Sequence, residues 1–143
     1  IKQSRPSAAA EEYKGQSTNR PICRKPNNIS HEQATASLEE AHYAYNFLNK
    51  VKLKPGDNVM VNGGTGAIGN SAIQLLSQRD VNITFTYPTD SYDKVKHLKA
   101  ERMIDYLRED FTQQDVQFDF VFDAVGKSSF GACKRILKPN GIY

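Results

Sequence analysis

VMVNGGTGAIGNSAIQLL, residues 59–76, is the stretch that decides the fold. It begins with an apolar run typical of a strand, passes through a turn rich in glycine, and continues as an apolar pattern with helical spacing. Four of the nine glycines of the chain lie in this turn, so its backbone either bends sharply or leaves room for a ligand. A helix that starts there points free amides and the positive end of its dipole at the opening, which favours a phosphate.

The glycines of this turn have the spacing G-x-G-x-x-G. We expect Gly64 to permit the tight turn out of the strand, Gly66 to let the backbone approach a pyrophosphate, and Gly69 to let the helix pack against the strand. The motif alone is weak, but a preceding strand and a following helix are the context that supports a dinucleotide site. A glycine turn without a ligand and a turn that binds a methyl-donor nucleotide are the two alternatives.

Segments that resemble strands and helices alternate after residue 57. Strands are predicted at 58–62, 82–87, 102–105 and 118–125, and helices at 67–78, 91–98 and 129–137. This alternation predicts βαβ units in an α/β fold of the Rossmann type, with a doubly wound parallel sheet. We expect 138–141 (KPNG) to end the last helix and 141–143 to begin a fifth strand. The sheet is therefore expected to be incomplete at its C-terminal end.

The N-terminal part differs in composition from the rest. Residues 1–30 contain six basic and two acidic side chains, whereas the other 113 residues contain 13 basic and 14 acidic ones. Residues 1–29 are predicted to be an irregular basic segment, and 30–143 a nucleotide-binding domain. Because few aromatic residues accompany the basic ones, no nucleic-acid partner is expected.

A long helix is predicted from Ser30 to about residue 50. Ser30 and Gln33 have the spacing of a capping box, in which each side chain bonds the backbone of the other residue. The apolar face of this helix is expected to contain Leu38, Ala41, Tyr45 and Leu48, which recur at steps of three and four residues.

Length and composition exclude several classes of protein. A chain of 143 residues with 38% hydrophobic and 24% charged residues is typical of one globular domain. It contains neither an apolar run long enough to span a membrane nor a signal peptide, so no membrane partner and a cytoplasmic location are expected. Cys23 and Cys133 form no C-x-x-C pair, and the histidines (His31, His42 and His97) have no metal-ligand spacing, so no metal site is expected.

Several stretches together resemble a known family. LKPGDNVMVNGGTGAIGNSAIQLL (53–76), AERMIDYLREDF (100–111) and FDFVFDAVGKSSF (118–130) are similar to the medium-chain dehydrogenase/reductases, especially the quinone-oxidoreductase-like and alcohol-dehydrogenase-like branch without catalytic zinc. CRKPNNISHEQATA (23–36) resembles the passage between the two domains of that family. The resemblance implies NAD(P)-dependent hydride transfer to or from a quinone, enone, aldehyde or alcohol. A non-catalytic dinucleotide-binding module and a methyltransferase-like adenine-cofactor domain are the alternatives.

The resemblance also implies that the chain is the middle of a longer enzyme. Residues 1–29 would then be a remnant of the catalytic domain, and the residues that choose a small carbonyl or quinone substrate would lie outside this chain. The 143 residues alone are expected to bind cofactor without turning over substrate. An exposed apolar sheet edge is expected to cause self-association.

Positions of the cofactor contacts follow from the same resemblance. The pyrophosphate is expected at the glycine turn, with contacts from Gly64, Thr65, Gly66, Ala67, Ile68 and Gly69. Ala124, Val125 and Gly126 end the fourth strand and are expected near the ribose on the nicotinamide side. The alternative for this last segment is a buried strand without contact to a ligand.

Selection between NAD and NADP is expected at the end of the second strand. An acidic residue there pairs with the 2′-hydroxyl of the ribose, whereas hydroxyl and basic groups accept a 2′-phosphate. Tyr87 stands about where the acid would be, Asp90 is displaced into the turn, and Lys94 follows one helical turn later. Tyr87, Thr89 and Lys94 are therefore expected to contact the cofactor, with a slight preference for NADP(H) over NAD(H). The alternative is that these charges are solvated.

Overall fold

The computed structural model describes residues 24–143, and most of the segment predicted to be irregular, with Cys23, lies outside this range. In chain order the strands and helices are α1 (His31–Leu48), β1 (Asn58–Asn62), α2 (Ala67–Leu76), β2 (Asn82–Tyr87), α3 (Tyr92–Val95), β3 (Arg102–Asp105), β4 (Phe118–Asp123), α4 (Phe130–Cys133) and β5 (Leu137–Ile142). Short 3₁₀ turns precede α3 (Thr89–Ser91), precede β4 (Phe111–Gln113) and follow α4 (Lys134–Ile136). None of the described helices has the length and apolar composition to cross a membrane.

The five strands form one parallel sheet in the order β3-β2-β1-β4-β5. The chain moves outward from β1 in one direction to β3, and then returns to the other side of β1 to form β4 and β5. The strand order therefore reverses between β1 and β4, as in a doubly wound fold. The predicted Rossmann-type α/β sheet is confirmed.

Apolar side chains fill both faces of the sheet. On one face, α1, α2 and α3 pack against β1, β2 and β4 through a cluster that includes Leu48, Ile73, Val95, Val61 and Phe85. On the other face, α4 and the turn after it cover a second cluster, which includes Met60, Ile104, Val121, Cys133 and Ile136. A parallel sheet that is covered on both faces accounts for the nearly continuous apolar runs of β1 and β4.

Helix α1 begins as predicted but packs on a different face. The Ser30 hydroxyl accepts a hydrogen bond from the Gln33 amide (3.1 Å), and the Ser30 amide donates to Oε1 of Gln33 (2.9 Å), so the capping box is confirmed. Ala44 and Leu48 are buried, whereas Leu38 and Tyr45 are 73% and 54% exposed. The predicted apolar face was therefore wrong at these two positions, because only the C-terminal part of α1 reaches the core.

The chain after β4 also differs from the prediction. The helix expected over 129–137 is a single turn (Phe130–Cys133) followed by a 3₁₀ turn, and residues 138–141 (KPNG) belong to β5. Phe118 pairs with Leu137 and Phe120 with Ile142, so 138–141 lie opposite a single residue of β4. Asn140 has φ of 67°, in the left-handed region that asparagine tolerates. The turn residues that were expected to end a helix therefore form a bulge in the edge strand.

Candidate functional site

A cleft of about 870 Å³ opens at the carboxyl edge of the sheet. Three loops line it: the glycine turn after β1 (Asn62, Gly63, Thr65 and Gly66), the loop after β3 (106–111) and the loop after β4 (Ala124, Val125 and Lys127). The first and last of these loops follow the two strands between which the strand order reverses. In open parallel sheets, ligands bind outside the carboxyl ends of the strands at this point.

The turn out of β1 depends on Gly63, which precedes the G-x-G-x-x-G motif. Gly63 has φ of 96°, and a Cβ there would lie 2.2 Å from Cγ2 of Val125. Gly64 has no positive φ, but a Cβ there would lie 2.5 Å from Cδ2 of Phe85 and 2.9 Å from Cδ1 of Ile73. The role expected for Gly64 therefore belongs to Gly63, and Gly64 instead lets the turn pack closely on β2 and α2.

The other two glycines of the motif differ in what surrounds them. A Cβ on Gly69 would lie 2.1 Å from the carbonyl oxygen of Gly63, so α2 packs against the turn as expected. A Cβ on Gly66 would have its nearest neighbour at 3.5 Å, an ordinary contact, and Gly66 has φ of −73°. The protein itself therefore does not require glycine at position 66, which lines the open cleft. Close approach of a ligand to this backbone stays a prediction from the sequence.

The first turn of α2, which follows the cleft-lining Gly66, begins with amides that have no acceptor within the helix. Gly66 is the N-cap, and the amide of Asn70 donates the first intrahelical hydrogen bond, to the Gly66 carbonyl at 2.8 Å. The amides of Ala67, Ile68 and Gly69 precede this bond and have no acceptor within the helix. No acidic residue lies in this first turn. The positive end of the helix dipole is therefore available to an anion.

Polar side chains join the ends of three strands beneath the glycine turn. The Thr86 hydroxyl, which is fully buried, donates to Oδ1 of Asn62 (2.7 Å) and accepts from the amide of Gly63 (2.8 Å). Nδ2 of Asn62 in turn donates to Oδ1 of Asp123 (3.0 Å). Asn62 and Thr86 were not among the site residues predicted from the sequence. The feature of the sequence that could have indicated them is a polar residue near the end of an apolar strand.

We expect Thr86→Val to lower the free energy of unfolding by about 1–3 kcal/mol, because the Gly63 amide and the side-chain Oδ1 of Asn62 lose their buried partner. Thr84→Val is the matched control, since Thr84 is a buried threonine of the same strand whose hydroxyl bonds no other described residue. Urea denaturation followed by circular dichroism measures both changes. Equal losses in the two variants would contradict the role given to this network.

Asp123 holds the loop after β4 in shape. Its carboxylate accepts hydrogen bonds from the amides of Val125 (3.1 Å), Gly126 (3.0 Å) and Ser128 (2.9 Å). Partial burial by itself would raise the pKa of Asp123, but these bonds and the one from Asn62 hold that pKa below its ordinary value. The carboxylate therefore stays ionised near neutral pH. It ties the loop to β1 from below the cleft.

The structure brings some of the predicted contacts together and separates others. Thr65, Gly66, Ala124 and Val125 line the cleft, while Gly64 and Gly69 are buried beneath the turn and Ala67 is exposed at the start of α2. Ile68 and Gly126 line a smaller apolar hollow of about 410 Å³ between α1, β4 and β5. Tyr87, Thr89 and Lys94 are not among the residues that line either space.

The three residues expected at the adenosine ribose have other surroundings. The Tyr87 ring lies 6.5 Å from the ring of Phe85 and 5.8 Å from that of Tyr92. The Thr89 hydroxyl donates to the carboxylate of Asp105. Lys94 is exposed on α3. Contact of these three residues with the cofactor therefore stays a prediction from the sequence.

Residues 24–143 contain no group of histidine, cysteine and acidic side chains arranged to hold a metal ion. Burial raises the pKa of the Cys133 thiol, which lies 3.2 Å from the Ser128 hydroxyl. A thiol of raised pKa is a poor nucleophile at neutral pH. Cys133 is thus a core residue of the second apolar cluster.

No protein-family model matches the chain, but individual proteins do. It is 32% identical over 122 residues to the 2-methylene-furan-3-one reductase of Solanum lycopersicum. The aligned residues cover 84% of this chain and 31% of the reductase. It is 30% identical over 119 residues to the chloroplastic NADPH-dependent alkenal/one oxidoreductase of Arabidopsis thaliana, covering 82% and 30% of the two chains. The solved quinone oxidoreductase of Coxiella burnetii has a TM-score of 0.76 and 31% identity, covering 84% of this chain and 38% of that one. The chain spans about a third of the length of the curated relatives it matches.

Proposed function

Since the chain belongs to the medium-chain dehydrogenase/reductase superfamily, among its quinone-oxidoreductase-like and alcohol-dehydrogenase-like proteins, we propose that it is the nucleotide-binding part of an NAD(P)H-dependent oxidoreductase. The observation that carries the proposal is Gly66, where the protein leaves room for a side chain beside the free amides of α2 and within the cleft. The proposed reaction is hydride transfer to or from a quinone, enone, aldehyde or alcohol. Relatives named as reductases support it.

The residues at the carboxyl edge fit a dinucleotide. We place the pyrophosphate beside Gly66, at the amides of Ala67, Ile68 and Gly69, with Thr65 on the wall of the cleft. Gly64 supports this turn from beneath. The nicotinamide supplies the hydride acceptor or donor when the cofactor is bound.

The two ends of the dinucleotide are proposed to lie at different strands. Ala124 and Val125 line the cleft, and with Gly126 they would contact the ribose on the nicotinamide side. The ribose of the adenosine is placed at the end of β2, near Tyr87, Thr89 and Lys94. We propose NADP(H) in preference to NAD(H), and the relative from Arabidopsis, whose name specifies NADPH, supports this choice.

Substrate, partners and compartment are proposed on the same basis. The substrate is a small carbonyl compound or quinone, held largely by residues outside this chain, and neither a nucleic acid nor a membrane is proposed as a partner. Self-association is supported by apolar side chains that are exposed around the smaller hollow, among them Phe47, Ile142 and Tyr143. A cytoplasmic location stays a prediction, since one relative is named as chloroplastic.

Titration with nucleotides tests the proposal. We expect saturable enhancement of NADPH fluorescence by the 143-residue chain, weaker binding of NADH, and no binding of S-adenosylmethionine, since the cleft is proposed to take a dinucleotide. We expect no turnover of a simple quinone by this chain alone. Failure to bind either reduced nucleotide, or saturable binding of S-adenosylmethionine in their place, would overturn the proposed function. Quinone reduction by a preparation of verified mass would contradict the expectation that the chain is inactive alone.

A further inference from the structure

The loop after β3 lies directly beside the end of β2. Tyr87 and Asp105 are paired in the sheet, and the amide of Tyr106 donates to the carbonyl of Tyr87 at 3.1 Å. The Asp105 side chain is 10% exposed, and its carboxylate has three partners: the Thr89 hydroxyl, the Leu107 amide (3.1 Å) and Nε of Arg108 (3.3 Å). The turn after β2 is therefore joined to Arg108 through one nearly buried carboxylate.

Thr89 cannot serve a phosphate as a donor while this arrangement holds. A threonine hydroxyl carries one hydrogen, and that of Thr89 is donated to Asp105. The hydroxyl then presents only lone pairs, which a phosphate repels. Thr89 consequently acts on Asp105 rather than on an anion in the cleft.

Arg108 has the position and the free donors that an anion needs. Its side chain is 74% exposed and lines the same cleft as Gly63 and Gly66. Only Nε is engaged by Asp105, so the two terminal nitrogens have no ion-pair or hydrogen-bond partner among the described residues. A guanidinium held in this way presents parallel N–H groups that match two oxygens of a phosphate.

Other charges of this loop are already engaged. Glu109 pairs with Arg102 at 3.1 Å, and Asp110 accepts hydrogen bonds from the amide and hydroxyl of Thr112 at 2.8 Å each. Lys127 adds a second cation to the lining of the cleft, from the loop after β4. The acidic side chains of the loop thus have partners of their own.

We propose that Arg108 binds the 2′-phosphate of NADPH and determines the preference for NADPH over NADH, with Asp105 and Thr89 as positioning residues. This inference rests on the proposed function. It supplies a cation at the end of β2, where the sequence has none in the turn 88–90, and it assigns to Arg108 the contact that the sequence predicted for Lys94.

Arg108→Gln tests the inference, with Lys99→Gln as the matched control, since Lys99 is an exposed cation that lines neither the cleft nor the smaller hollow. Arg108→Gln is expected to lower the affinities for NADPH and 2′,5′-ADP by about 10- to 100-fold, because a charge-assisted pair with the 2′-phosphate is lost. The affinities for NADH and 5′-AMP should change by less than about twofold, as should the affinities for all four ligands in Lys99→Gln. Fluorescence titration and its displacement by the two adenosine phosphates measure these affinities. Circular dichroism checks the fold of each variant.

Two further variants separate charge from position. Arg108→Lys keeps the positive charge but lacks the parallel N–H groups of the guanidinium, so it should keep only part of the preference for NADPH. Thr89→Val should lower the ratio of NADPH to NADH affinity, which a purely structural role of Thr89 would leave unchanged. If Arg108→Gln lowers the affinity for both reduced nucleotides equally, or lowers the affinity for NADPH no more than Lys99→Gln does, the inference is wrong and the proposed function stands. If the unaltered chain binds neither nucleotide, both are wrong.

Discussion

Replacing Gly66 by valine is expected to abolish dinucleotide binding while the chain keeps its fold. The backbone of Gly66 (φ −73°, ψ 155°) is extended, a conformation that valine adopts without strain. Apart from its two chain neighbours, its Cβ would meet no atom closer than 3.5 Å, and Gly66 lines the cleft, so we expect the two methyl groups to occupy cleft space beside the start of α2. We expect the NADPH affinity to fall at least about 100-fold, since the pyrophosphate loses its closest approach. The loss of stability should stay near 1 kcal/mol, the difference between N-cap residues.

Gly131→Val is the matched control for this experiment. A Cβ on Gly131 also has room, with its nearest neighbour at 3.9 Å, but Gly131 lies in α4 and does not line the cleft. This variant should therefore bind NADPH with unchanged affinity. Fluorescence titration and urea denaturation are measured on both proteins. Unchanged affinity of the Gly66 variant for both reduced nucleotides would show that the glycine turn is not the binding site.

Gly69→Ala should have a different outcome, a large loss of stability of the fold. Its Cβ would lie 2.1 Å from the carbonyl oxygen and 2.9 Å from the carbonyl carbon of Gly63, and both are backbone atoms of the turn that β1 and Thr86 hold in place. Alanine normally stabilises a helix by about 1 kcal/mol relative to glycine. We nevertheless expect a destabilisation of about 3 kcal/mol or more, because α2 must move away from the turn to admit the methyl group.

Gly66→Ala is the comparison for this second variant, since it adds the same methyl group three residues earlier in the same turn. It should cost less than about 1 kcal/mol. Urea denaturation followed by circular dichroism compares the two variants. If Gly69→Ala is as stable as Gly66→Ala, the contact between α2 and Gly63 does not determine the packing of the turn.

Local pattern was sufficient for the fold class and for the position of the glycine turn that lines the cleft. The strands at 58–62, 82–87 and 102–105 have the bounds that the sequence predicts, because short apolar runs between turn residues form buried strands. Ser30 begins α1 as expected, since a capping box involves only residues three positions apart. The glycine spacing between a strand and a helix located the turn that lines the cleft.

The division of roles within that turn depended on residues far away in the chain. Gly63 has positive φ, and a Cβ there would collide with the side chain of Val125. Gly64 packs against Phe85 and Ile73. Neither set of neighbours can be predicted from the motif. Spacing along the chain predicts where a glycine is needed. It does not predict which distant atom would collide with a Cβ.

Contacts between strands set the rest of the site. Asn62, Thr86 and Asp123 meet only because β2, β1 and β4 are neighbours in register, and Arg108 reaches the cleft only because β3 ends beside β2. Residues 138–141 were expected to end a helix. Because β5 pairs with β4, they form a bulge of β5 instead. Hydrogen-bonded partners across a parallel sheet lie tens of residues apart in the chain. Their identity is therefore decided by the packing of the whole sheet, not by any local stretch.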